Sequence, residues 1–291
     1  MIHKFYQLVL SAVVLSFITL TQAHSAQLVI IIDDIGNNYA QGNAMVELAG
    51  PLTLAFLPHT PYAKRLANKA HLQQKEIILH APMGNTGKAA LGPGALTQEL
   101  TEIEFKQTLK KAIASIPHIQ GINNHMGSAL TQDKQAMQWV METLQDEQLY
   151  FIDSLTSPNS VAYQQALAHQ LPALRRHIFL DNDKSEAALT RQWNKALRIA
   201  HKTGRAILIA HPYGESHAFL SQQLPKLASA DIELVPASLL FLQYAWQGFE
   251  LNEPLTAIPQ NRYQLLKQHA VPLNKQIASS QGSHQLGQPL E

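Results

Sequence analysis

The sequence predicts an α/β fold in which seven or eight mainly parallel strands form a barrel or a distorted barrel. Short apolar runs recur along the chain, and a stretch of helical character separates each run from the next. Aspartate or histidine occurs within three residues after the end of six of these runs, as is common where parallel strands end at a functional site. An open, doubly wound sheet is the alternative architecture.

The predicted elements alternate regularly along the chain. The strands are predicted, in order, at residues 28–32, 52–57, 76–79, 119–122, 150–152, 177–180, 206–209 and 232–235. The helices are predicted at residues 39–48, 62–70, 101–115, 131–147, 160–169, 186–203 and 217–228. Threonine signals for a helix start occur in "TQEL" at Thr97 and in "TQDK" at Thr131. Right-handed strand–helix–strand units of this kind make neighbouring strands parallel.

The first 26 residues have the pattern of a secretory signal peptide. Lys4 provides a positive charge, residues 8–20 are mostly apolar, and "TQAHSA" provides small residues for cleavage. A single membrane anchor is the alternative, but the apolar segment is short for a span of about 20 residues. We therefore expect an exported, periplasmic protein without a stable membrane anchor after cleavage.

This expectation has a direct test. The protein isolated from cells should have a new N-terminus between His24 and Gln27, as determined by mass spectrometry of the intact chain. Recovery of a chain that begins at Met1 in the cytoplasmic fraction would contradict the prediction.

Composition restricts the classes of partner. After loss of Lys4 from the 22 basic residues, the basic residues balance the 21 acidic ones. A neutral chain is not typical of nucleic-acid or anionic-membrane binding, so neutral molecules are expected. Residues 27–250 are predicted to form the barrel domain. Residues 251–291 are predicted to be a C-terminal extension whose polar end, beyond about residue 268, is disordered.

Polar side chains at the strand ends identify a candidate site. They are Asp33 and Asp34, His80, His125, Asp153, Asp181 and Asp183, and His211, with His59 as an ambiguous further case. The chain has no cysteine, so a bound metal would need histidine and carboxylate ligands, which suit Zn²⁺ or a similar divalent ion.

The adjacent aspartates Asp33 and Asp34 require an explanation, because two carboxylates at the end of a buried strand repel one another. A strand-to-loop turn is the simplest one. A metal site is the other: one carboxylate binds the ion, and the second accepts the proton of the attacking water. Both side chains can reach one site only if the backbone turns there, and Gly36, Asn37 and Asn38 favour a turn.

Five segments resemble the polysaccharide deacetylase superfamily of carbohydrate esterases, in particular its divergent, exported bacterial branch. They are "IIIDDIGNN", "ILHAPMG", "NNHMGS", "FIDSLTS" and "LIAHPYG". The resemblance implies a distorted (β/α) barrel, with Asp33 as the general base and His211 as the general acid. It implies Asp34 and His80 as metal ligands.

The resemblance does not assign the third metal ligand directly. The superfamily places both metal-binding histidines in one His-x-x-x-His segment. The segment "HAPMG" has only His80. We therefore predict His125 as the third ligand, with His59 or Asp153 as the next candidates. Asn124, Asp153 and His59 are expected near the substrate or behind the ligands. The Arg-x-Pro motif that orients the base in the superfamily is not evident.

Two functions follow from the resemblance. The first is a metal-dependent hydrolase that removes N-acetyl or other acyl groups from an envelope polysaccharide. The second is a non-catalytic periplasmic protein that keeps the fold and binds glycan or a protein partner.

Overall fold

The computed structural model describes residues 25–241. The predicted signal peptide, except for its last two residues, and the predicted C-terminal extension lie outside the described residues. No helix within residues 25–241 is both long and apolar enough to cross a membrane.

The strands form one parallel sheet that curls into a half-barrel. They are β1 (Ala26–Ile35), β2 (Thr53–Phe56), β3 (Glu76–Met83), β4 (Gly121–Met126), β5 (Tyr150–Asp153), β6 (Ala173–Arg175), β7 (Ile178–Phe179), β8 (Arg205–Ala210) and β9 (Ile232–Leu234). Eight strands follow the order β6-β5-β4-β3-β2-β1-β8-β7, and β9 pairs with β1 off this path. The predicted distorted (β/α) barrel is therefore confirmed.

Helices alternate with the strands and cover the outside of the sheet. They are α1 (Tyr39–Glu47), α2 (Ala63–Leu72), α3 (Glu102–Ser115), α4 (Lys134–Asp146), α5 (Ala162–Ala168), α6 (Glu186–Thr203) and α7 (Gly214–Gln223). Helix α3 begins with a capping box in which Thr101 and Glu104 satisfy each other's backbone amides. The threonine signal at Thr97 therefore lies one turn before the actual cap.

The sequence did not predict β6. The strand has only three residues and directly follows Pro172. Residues 176 and 177 connect it to β7 and cross the gap between the two ends of the sheet. The Arg176 amide donates to the Asp153 carbonyl, and the His177 amide donates to the Ile207 carbonyl. The chain thus passes from the β5 edge to the β8 edge without a helix.

The apolar strands are buried on both faces. In β1, Val29 and Ile31 belong to a cluster inside the barrel, whereas Ile30 and Ile32 belong to the larger cluster beneath the helices. Alternation along a strand explains this division. Continued by one step, it directs Asp33 into the barrel, where the side chain is 2% exposed.

A buried carboxylate holds the end of the barrel opposite to the strand ends that carry the candidate site. Glu76, at the start of β3, accepts hydrogen bonds from Thr53 Oγ1 at 2.6 Å and from the amides of Ala237 and Ser238 at 2.7 and 3.0 Å. Residues 237–241 are helical, so the acid lies at a helix N-terminus, where negative charge is favourable. Leu240 then fills the barrel interior beside the strands.

We expect Glu76→Ala to lower the free energy of unfolding by about 1–3 kcal/mol, because it leaves buried donors without an acceptor. Urea denaturation of the two proteins measures the difference. Glu47→Ala is the matched control, since that exposed carboxylate pairs only at the surface with Lys69 and Gln73. An equal or larger decrease in the free energy of unfolding of the control would contradict the stabilising role of Glu76.

Candidate functional site

A local turn of the backbone brings Asp34 to the same end of the barrel as Asp33. Regular alternation would direct Asp34 towards the helices. Instead Asp34 has a φ angle of 57°, in the left-handed region, and the register between β1 and β2 shifts between Ile32 and Ile35. The turn thus begins at the aspartate itself and continues at Gly36, which has a φ angle of 138°. Of the residues expected to form it, Asn38 instead caps α1 by accepting from the Gln41 amide at 3.1 Å.

Three side chains from three strands meet at this end. Asp34 Oδ1 lies 3.2 Å from His80 Nε2 and 2.9 Å from His125 Nδ1. The two ring nitrogens are 3.1 Å apart. The atoms therefore form a nearly equilateral triangle. Within the described part of the chain, this is the one group of three such residues whose ligand atoms converge as a metal site requires.

This triangle fits a divalent cation. A tetrahedral zinc ion with bonds of about 2.1 Å separates its ligand atoms by about 3.4 Å, which is close to the three observed distances. Asp34 Oδ1 is buried and makes no hydrogen bond of acceptable geometry, although two ring nitrogens lie beside it. A buried carboxylate oxygen without a hydrogen bond is costly unless a cation satisfies it. One carboxylate and two imidazoles are ligands that zinc accepts.

The charges around Asp34 favour its ionised form. Burial by itself would raise the pKa of this carboxyl, but the neighbouring His125 and His80 lower the pKa well below its usual range. Asp34 is thus a carboxylate at neutral pH, as a metal ligand must be.

Asp33 has the opposite shift. Burial raises its pKa, and the charges of His80 and His211 and a hydrogen bond from Asn123 only partly offset this effect. Its Oδ2 lies 3.7 Å from His80 Nε2. The adjacent aspartates therefore differ in character, because one faces the imidazoles directly and the other is enclosed by the barrel. A carboxylate with a raised pKa is a better proton acceptor near neutral pH.

Asn123 links two members of the site. Its side chain is fully buried, and its Oδ1 lies 2.7 Å from His80 Nδ1. Its Nδ2 donates to Asp33 Oδ1 at 2.8 Å and approaches Ser154 Oγ at 3.3 Å. The sequence analysis instead predicts Asn124 near the substrate or behind the ligands. The period of two along β4 was the available signal, because it places residue 123 on the same face as His125.

His211 lies just after β8 and is held by Asp181. The Nδ1 atom of His211 is 2.8 Å from Asp181 Oδ1, and the His211 amide donates to Asp181 Oδ2 at 2.6 Å. Ser216 also donates to Asp181 Oδ2, at 2.6 Å. The sequence places Asp181 at a strand end but does not indicate its role. Only the pairing of β7 with β8 shows that the two strand ends are adjacent.

The surroundings of His211 favour its protonated form. Burial by itself would lower the pKa, but the hydrogen bond to Asp181 and the charges of Asp33, Asp181 and Asp34 raise the pKa of His211 to about 9. His211 is therefore protonated at neutral pH, and because Nδ1 is hydrogen-bonded to Asp181, the second N–H group of the ring is at Nε2.

Arg176 supplies a further positive charge near Asp33. It donates to the carbonyl oxygens of Ser154 and Leu155 at 2.6 and 2.7 Å and lies over the Phe179 ring. Burial lowers its pKa, while attraction to Asp153 and Asp33 opposes that effect. The sequence shows no evident Arg-x-Pro motif, but Arg176 is an arginine close enough to Asp33 for their charges to interact.

The remaining predicted residues have other contacts. Asn124 accepts from the Ser154 amide and donates to the Met126 carbonyl. Asp153 accepts from Ser160 Oγ at 2.9 Å and from the Leu155 amide at 2.8 Å. Both side chains point away from the barrel interior, because successive side chains along a strand point to opposite faces. Both form hydrogen bonds that stabilise the loops after their strands.

His59 is the last of these candidates. It is exposed in the loop after β2 and packs near Gly94. Its φ angle is 57°. It does not belong to the group of three that could hold a metal among the described residues.

Comparisons with known proteins agree with this fold. The sequence matches the family described as divergent polysaccharide deacetylase over residues 30–241. The chain is 34% identical to the uncharacterized protein YibQ of Escherichia coli K12 over 230 residues, which are 79% of this chain and 69% of that protein. It is also 34% identical to an uncharacterized protein of Haemophilus influenzae Rd over 210 residues, covering 72% of this chain and 75% of the relative.

Solved structures are similar as well. An uncharacterized protein from Agrobacterium tumefaciens C58 superposes with a TM-score of 0.73 and 25% identity, covering 76% of this chain and 91% of that one. A putative cellobiose-phosphate cleavage protein from Enterococcus faecalis V583 has a TM-score of 0.56 and 14% identity, covering 74% and 99% of the two chains. The second likeness concerns the fold alone. The match over residues 30–241 includes every strand-end residue of the site, and on that basis the chain belongs to the divergent polysaccharide deacetylase family.

Proposed function

We propose that this protein is a metal-dependent hydrolase that removes N-acetyl or other acyl groups from an envelope polysaccharide. The observation that carries the proposal is the convergence of three ligand atoms beside the buried carboxyl of Asp33, close enough to His211 for its charge to act on Asp33. A metal, a base and an acid in one place are the components of amide hydrolysis. The predicted export would bring the chain to the compartment where such polymers are found.

Asp34, His80 and His125 would hold the ion, which we propose to be Zn²⁺ or another divalent metal. When bound, such an ion polarises the acyl carbonyl and lowers the pKa of water at the site. Its positive charge also offsets the repulsion between Asp33 and Asp34.

The side chains of this protein then carry the proton transfers. Asp33 accepts a proton from the attacking water through its free Oδ2, while the water oxygen forms a bond to the acyl carbon. The carbon–nitrogen bond breaks, and His211 gives its Nε2 proton to the leaving nitrogen. Asp181 holds the His211 ring by Nδ1 throughout. The products are a free amino group on the sugar and an acid such as acetic acid, which ionises to the carboxylate. Exchange with solvent removes the proton from Asp33 and returns one to His211.

Metal analysis followed by an activity assay tests the proposal. Protein stripped by a chelator and reloaded with zinc should bind about one zinc per chain, because one three-ligand site is present. It should also release acetate from N-acetylated glycan oligomers, and His80→Ala should lose both properties. His201→Ala is the control, since His201 lies on the exposed surface of α6. Zinc binding without acetate release would instead favour the non-catalytic, glycan-binding alternative.

A further inference from the structure

We propose that Asn123 is a positioning residue: its one side-chain amide fixes the orientation of both the metal ligand His80 and the base Asp33. The inference rests on the proposed function for the role of the base, but its metal-binding half stands separately. Asn123 lies on β4 with no exposed surface, and each end of its amide meets a different member of the site.

The orientation of the Asn123 amide follows from its neighbours. An ionised carboxylate only accepts hydrogen bonds, so the amide nitrogen must face Asp33 and the amide oxygen must face His80. That oxygen also only accepts. The Nδ1 atom of His80 must therefore carry a proton and donate it, at 2.7 Å.

This contact selects the tautomer of His80 that a metal requires. In a neutral imidazole with a proton on Nδ1, the Nε2 atom has a free electron pair. His80 Nε2 is the atom that faces Asp34 Oδ1 and His125 Nδ1 in the ligand triangle. A hydrogen bond to the second ring nitrogen is a common way to orient a metal-binding histidine.

The amide nitrogen of Asn123 gives the two carboxylate oxygens of Asp33 different roles. The Asn123 nitrogen binds Oδ1 at 2.8 Å, and Oδ2 remains on the side of the ligand triangle, 3.7 Å from His80 Nε2. Because an amide is rigid and planar, the position of the base relative to the metal ligand is set by one small group. Ser154 Oγ, at 3.3 Å from the nitrogen, is a weaker third contact.

Two substitutions of Asn123 separate its two tasks. Asn123→Asp keeps an oxygen that can accept from His80 Nδ1 but loses the N–H donor to Asp33. Asn123→Ala loses both contacts. Each is made in the full chain, and Ser154→Ala is the control that removes only the weak contact.

The measurements are zinc affinity, acetate release, and ¹⁵N NMR of the His80 ring in the metal-free protein at a pH where the ring is neutral. For Asn123→Ala we expect zinc affinity to fall about 10–100-fold and the Nδ1-protonated tautomer of His80 to lose its dominance. For Asn123→Asp we expect the tautomer to be retained and zinc affinity to stay within about tenfold of the unsubstituted protein. Turnover should still fall about 100-fold, because the base is displaced.

Several outcomes would overturn the inference. Zinc affinity and tautomer unchanged in Asn123→Ala would reject the role towards His80. Unchanged turnover in Asn123→Asp would reject the role towards Asp33, and so would an equal loss in Ser154→Ala. If the unsubstituted protein releases no acetate, the proposed function fails, whereas the NMR and zinc data still decide the metal-binding half.

Discussion

Asp33→Asn should lose turnover by about 10²–10⁴-fold while the protein keeps its zinc. The substitution preserves the shape of the side chain but removes its negative charge and with it its ability to accept a proton. Asp33 is not one of the three converging ligands, so the ligand triangle should remain intact. Zinc per chain and acetate release, measured on the same preparations, give the two results.

Asp34→Ala should behave differently, because it removes one of the three ligand atoms and the carboxylate charge between the imidazoles. We expect zinc to be lost, and turnover to disappear with it. Asp146→Asn is the control, since that carboxylate is exposed on α4 and pairs only with Lys110. Equal loss of metal from Asp33→Asn and Asp34→Ala would reject the division of labour between the two aspartates.

The second large effect concerns His211 and its partner Asp181. His211→Gln should reduce turnover by about 10²–10⁴-fold, because the leaving nitrogen loses its proton donor. Zinc content should not change, since His211 is not a ligand in the triangle. His217→Gln is the matched control, because His217 lies outside the site in α7. Retention of full activity by His211→Gln would show that another group acts as the acid.

The pH dependence has a defined direction. A general acid works only when protonated, and the protonated fraction of His211 falls as pH rises through its pKa of about 9. Activity should therefore fall on the alkaline side. A bound cation cancels part of the negative charge that raises this pKa, so the fall in the metal-loaded protein should occur at or below pH 9.

Asp181→Asn should move this alkaline fall to lower pH. It removes the hydrogen-bonded charge that opposes the effect of burial on His211. NMR titration of His211 in the metal-free protein should show the same lowering of its pKa, which separates an electrostatic role from a general loss of structure. A pH profile identical to that of the unsubstituted protein would contradict the role of Asp181.

The barrel could be predicted from the sequence because its signals are local. The run from Leu28 to Ile32 is apolar at every position, as expected for a strand buried on both faces, and helical segments separate it from the next strands. The strand β6 escaped prediction because three residues are too few to show a period. Its pairing with β5 depends on contacts that only the folded chain provides.

The sequence by itself determined which residues could form the site. It placed Asp33, Asp34, His80, His125 and His211 at the ends of parallel strands, and parallel strands end at one edge of a sheet. That rule depends only on the order of strands and helices, which local patterns predict. It does not depend on the register between strands or on the direction of any one side chain.

The tertiary structure alone decided which strand-end residues work together. The β3–β4 register pairs His80 with Asn123, and alternation along β4 then turns Asn124 away from the site. A single left-handed residue, Asp34, redirects a carboxylate that alternation would place outside the barrel. The pairing of β7 with β8 brings Asp181 to His211. These choices rest on strand register and backbone torsion angles, which are set by packing between distant parts of the chain.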